Sequence, residues 1–96
     1  MRYCSQRVVT SASTLIENSD ESVHLRGSAP QTITTIGSGA GAASAGASFR
    51  LVNDCDHNAT FTPGAPQTVS RGASLIIPAR TSKTLELSPG LDWVEV

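Results

Sequence analysis

Asp54-Cys55-Asp56-His57 is the densest run of reactive side chains in this sequence. In an extended segment, residues i and i+2 share a face, so Cys55 and His57 could meet as a nucleophile and its base. No third group to orient the imidazole, and no oxyanion donor, can be assigned to accompany them. With Cys4 and His24 the same two residues make four potential metal ligands. Zinc sites normally pair their ligands two to four residues apart at both ends, and this spacing does not. Asp and Asn side chains readily bond their own backbone, so the expectation for residues 54–58 is a polar turn. A small cytoplasmic metalloprotein or enzyme using Cys55 and His57 is the competing reading. The expectation drawn here is no catalytic residue, no metal and no cofactor.

Three other features carry less chemistry. Gly37-x-Gly39-x-x-Ala42 echoes a dinucleotide-binding fingerprint, but no helical pattern follows it and the chain lacks room for a βαβ unit. It opens the low-complexity segment 37–48, GSGAGAASAGAS, which reads as a linker or as a loop that lets backbones approach closely. Asn58-Ala59-Thr60 matches a glycosylation sequon and is expected to be a chance match.

The elements that must position these residues are short. Apolar runs of four to six residues alternate with Gly, Pro, Asn and Asp, the pattern of an all-β domain. Strands are expected at residues 13–17, 22–26, 31–36, 49–53, 59–62, 74–77, 84–87 and 93–96. In the second, Val23 and Leu25 share one face while His24 and Arg26 share the other. Thr14 and Glu17 have capping-box spacing, but Asn18-Ser19-Asp20 leaves only one turn, too little to nucleate a helix. Residues 1–12 lack a sustained period and read as a polar N-terminal arm, with 13–96 as a single β-domain.

The chain has 96 residues, two Phe, one Trp, one Tyr and one Met. That is a thin core, which small domains reinforce with disulfides, a metal or oligomerisation. Two cysteines do not make a disulfide framework, which leaves oligomerisation. The expected core or subunit interface is Phe49, Leu51, Phe61, Leu75, Ile77, Leu85, Leu87, Trp93 and Val94. Trp93 reads equally as a half-buried edge residue and as an interface anchor. The formal net charge of −1 makes no case for nucleic acid or an anionic membrane, and no run approaches the ~20 apolar residues of a membrane-spanning helix.

The order TITTIG, a Gly/Ala stretch, FRLVND, a polar turn and strand, SLIIPA, TLEL and DWVEV resembles the short β-rich modules of tailed-bacteriophage virion proteins, of capsid decoration, cement, head-spike or tail-fibre type. The resemblance begins near Val23 and covers about three-quarters of the chain. LSPGLDW departs from it, being shorter between Pro/Gly and Trp than the common pattern. The resemblance implies a non-enzymatic virion structural protein, assembled in the host cytoplasm. It implies a homotrimer of compact β-sandwich or stacked β-domains built of short antiparallel strands. The major capsid protein or another virion protein is the implied partner. The arm would grip the shell through Arg2, Tyr3, Arg7, Val8 and Val9. A receptor- or carbohydrate-binding fibre tip is the alternative within the same resemblance.

Overall fold

Alternation decides which side chains turn inward. In SFRLVN, Phe49, Leu51 and Asn53 are buried while Ser48 and Arg50 are exposed, the period-two pattern of a half-buried strand. The same rule buries Ile33 and Thr35 of TITT, Ala59 and Phe61 of ATF, and Leu85 and Leu87 of SKTLEL. A computed structural model describes residues 6–10, 13–16 and 22–96, and of Gln6 and Arg7 only the main chain. Among the described residues there is no helix. The strands are β1 (Gln6–Val9), β2 (Ser13–Ile16), β3 (Ser22–Leu25), β4 (Thr32–Thr35) and β5 (Ser48–Asn53). They continue as β6 (Ala59–Phe61), β7 (Thr68–Val69), β8 (Leu75–Ile77), β9 (Ser82–Leu87) and β10 (Asp92–Glu95).

These form two mixed sheets. The larger has the order β1-β3-β5-β9-β10-β7 and the smaller β2-β4-β6-β8. Through β6 the chain deposits one strand in each sheet by turns. Gln6, Ser22 and Arg50 stack in register in the larger sheet, and Ser13, Thr32 and Thr60 in the smaller. From there the direction reverses. β8 runs antiparallel to β6, β9 antiparallel to β5 and β10 antiparallel to β9, while β7 lies parallel to β10.

The strands are therefore not simply antiparallel, as the sequence reading had them. A strand that crosses to the other sheet and back returns in its original direction, and the crossing strand serves as the connection that parallel pairing requires. Part of the segment read as an arm is a strand. Val8-Val9 was its only apolar signal, yet Gln6–Val9 pairs along all of β3. The Arg26 amide donates to the Val9 carbonyl at 2.9 Å, and Gln31 Nε2 donates to it at 3.2 Å. Backbone pairing, which leaves little trace in composition, places this segment in the sheet.

One core serves both sheets. It contains Ile16, Val23, Leu25, Ile33, Phe49, Leu51, Phe61, Val69, Ile77, Leu85, Leu87 and Trp93, with Leu75 half-buried against it. Val94, expected inside, is half-buried and pairs with Glu86 across the strands, on the side of β10 opposite Trp93. Only one of two adjacent strand residues can face the core, and the larger one does. The radius of gyration, 12.5 Å, matches the roughly 12–13 Å expected of a single folded domain of this length. Phe49, Phe61 and Trp93 meet one another within the one chain.

The glycine-rich segment leads from β4 to β5. A Cβ on Gly37 would collide with the carbonyl oxygens of Gly64 and Ala65, and one on Gly64 with the Thr35 carbonyl. Two backbones cross there at a distance only glycine permits.

Leu85 is fully enclosed and Val94 is not. Leu85→Ala is expected to cost about 2–5 kcal/mol of unfolding free energy by urea titration, and Val94→Ala clearly less. Equal losses would contradict this assignment of faces.

Candidate functional site

The Asp54–His57 turn follows β5 directly, and its carboxylates are engaged by arginines. Arg80, in the turn between β8 and β9, places Nη1 2.8 Å from Asp54 Oδ1 and Nη2 2.8 Å from Asp56 Oδ1. Arg26, just after β3, reaches Asp54 Oδ2 at 3.2 Å. Both Asp54 oxygens are therefore taken by guanidinium groups, and Arg80 is held even more firmly in its charged form than an ordinary arginine, chiefly by Asp56. These groups are substantially exposed, so each pair adds little by itself. Together they clasp three loops at one end of the stack. Chemically this is an ion-pair network, not a set of open carboxylates.

Cys55 and His57 are not brought together as a reactive pair. The segment is a bend rather than a strand, so the i, i+2 rule does not apply. The Cys55 thiol is buried, 3.1 Å from the Leu25 carbonyl and 3.4 Å from Gln31 Oε1. The His57 ring is exposed, with Nε2 3.0 Å from the Ser28 carbonyl. His24 is half-buried in β3, and Cys4 lies outside the described residues. Among the described residues, no three His, Cys, Asp or Glu side chains gather as a metal site.

The expected shell-binding residues divide in a similar way. Arg2 and Tyr3 lie outside the described residues, and of Arg7 only the main chain is described. Val8 is 60% exposed on β1, whereas Val9 is half-buried. Of the two whose side chains are described, Val8 is the one presented at the surface.

Sequence reasoning passed over the buried polar residues. Gln67 Oε1 accepts the Trp93 Nε1–H at 3.0 Å and the Thr35 hydroxyl at 2.6 Å, while its Nε2 donates to the Ile36 carbonyl at 3.1 Å. Thr35 Oγ1 in turn accepts the Gly64 amide at 3.2 Å. Trp93, left open between edge and interface, is 2% exposed inside the core. Asn53 uses Nδ2 on the carbonyls of His57 (2.8 Å) and Ile77 (3.0 Å), and Oδ1 on the Cys55 amide, joining the two sheets. Asn53 falls on the inward phase of β5, set by Phe49 and Leu51, which was a usable signal. Gln67 sits between a proline and a two-residue strand and carried none.

Gln67→Leu should leave the Trp93 N–H without an acceptor and cost about 1–3 kcal/mol, with a shift in Trp93 fluorescence; an unchanged midpoint would show the network to be dispensable. Asp92 accepts the Thr68 hydroxyl at 2.6 Å and the Arg71 amide at 2.9 Å, and chiefly the Thr68 bond holds its carboxyl below the ordinary aspartate range. A lowered folded value stabilises fully above the unfolded value, about 3.9, and the contribution fades as pH falls through the folded one. Asp92→Asn should therefore flatten the acid limb of a stability–pH profile, and a superimposable limb would refute the assignment. No family model, curated protein or solved structure matches the chain.

Proposed function

We propose that the chain is a non-enzymatic virion structural protein, a capsid decoration, cement or head-spike protein acting as a homotrimer. The observation that carries this reading is the stack. Strand pairs β1/β2, β3/β4 and β5/β6 pile in register, and main-chain hydrogen bonds run along the pile. Stiffness is thereby obtained from backbone rather than from a thick core, which suits a small module exposed on a particle. The resemblance of its motif order to phage virion modules points the same way.

Attachment falls to the N-terminal segment, with Arg2, Tyr3, Arg7 and Val8 as contacts for the major capsid protein or another shell protein. Because Val9 is tied to Arg26 and Gln31, it serves the fold instead. A sugar-binding fibre tip is less well supported, since Trp93 is inside the core and offers no stacking platform.

Co-sedimentation with purified phage heads tests attachment, and light scattering tests assembly. The wild-type chain should travel with the heads and have the mass of three chains. Arg2→Glu with Val8→Asp should lose the heads while keeping that mass. A wild-type chain that stays at the top of the gradient and has the mass of one chain would overturn the reading.

A further inference from the structure

The two sheets differ in the chemistry of their outer faces. None of the residues of β2, β4, β6 and β8 is charged. Their inward residues include Ile33, Phe61 and Ile77. Their outward positions form a row across all four strands, Ser13–Thr32–Thr60–Ile76, set by the pairing register. Thr34 lies beside this row, and Thr62 follows β6 on the exposed side. Ile76 is 49% exposed. The larger sheet instead carries Arg50 and Glu86 exposed on its strands, and the Arg26–Asp54–Arg80–Asp56 network lies in the loops at the ends of its strands and of β8.

We propose that the outer face of the smaller sheet is the surface through which copies of this chain meet. This rests on the homotrimer reading above and names its interface. In a closed symmetric assembly a patch faces an identical chain, so a charge near the axis meets its own copy. Like charges repel there, and each must also be stripped of water. The smaller sheet avoids both costs. A hydroxyl donates and accepts, so rows of serine and threonine can satisfy identical rows in either orientation, which a carboxylate or an ammonium cannot do. Ile76 and the threonine methyls supply apolar area to be removed from water. The occupants that suit an uncharged, self-complementary face are the same faces of the two other chains, gathered about a threefold axis.

Thr60→Lys puts a charge in the middle of the row, and Arg50→Glu on the larger sheet is the control. Light scattering should show wild type and Arg50→Glu at the mass of three chains and Thr60→Lys at the mass of one, all with β-type circular dichroism. Maleimide labelling gives a readout independent of that variant's folding. In a Cys4→Ser background, Thr32→Cys should be protected in the assembly while Ser82→Cys on the larger sheet reacts freely, and dilution to single chains should abolish the difference. If Thr60→Lys remains three chains, or Thr32→Cys labels as fast as Ser82→Cys in the assembly, the interface lies elsewhere and the homotrimer reading stands. If the wild type is one chain at every concentration, that reading falls and takes this interface with it.

Discussion

Trp93 has a single polar atom, and that atom is deep in the protein. Its N–H is accepted by Gln67, and the ring packs edge-on against Phe49 and Phe61, with centroids 5.0 and 6.1 Å away. Phe49 and Phe61 meet each other at 5.6 Å, closing a triangle of edge-to-face contacts. Such geometry suits aromatic quadrupoles and adds to the burial itself. Phe49 belongs to β5, Phe61 to β6 and Trp93 to β10, so the triangle joins both sheets and ties the last stacked strand pair to the strands that follow it. Gln67 extends it to Thr35 on β4 and, through Thr35, to the glycine crossing. The polar groups are buried and mutually satisfied, which makes this small region exacting: an apolar substitute for any one leaves another without its partner.

The stacked half and the reversed half of the chain solve different problems. Parallel stacking lets each strand pair rest on the last with little side-chain mass, so serine, threonine and valine suffice for much of it. Such a stack does not end by itself, since its last strand would offer an open edge. Here the parallel run ends where β8 and β9 turn back antiparallel against β6 and β5, and β9 and β10 bring Leu85, Leu87 and Trp93 to the core. The heavy apolar residues are thus concentrated where the stack is capped.

Charge is sorted as clearly as bulk. The ion-pair network crosses loops after β3 and β5 and before β9, where partial exposure makes ionised groups inexpensive. The smaller sheet carries none of it. Segregation of this kind links the architecture of a single chain to the proposed assembly.

Strand positions were legible in the sequence because alternation and turn residues are local properties. FRLVN, ATF and TLEL carry their own inward phase, and from it the burial of Phe49, Leu51, Phe61, Leu85 and Leu87 could be read directly. The polar character of the turn at Asp54 was legible for the same reason. Pairing direction was not, because it depends on which sheet each strand joins, and no residue encodes that alone. β1 was overlooked because backbone pairing with β3 holds it, and Val94 was misplaced because the choice between it and Trp93 depends on what lies across the core. The inward turn of Cys55 and the role of Gln67 also belong to tertiary structure alone. Each is fixed by partners more than twenty residues away, Leu25 and Gln31 for one, Thr35 and Trp93 for the other, and only folding brings those partners within hydrogen-bonding distance.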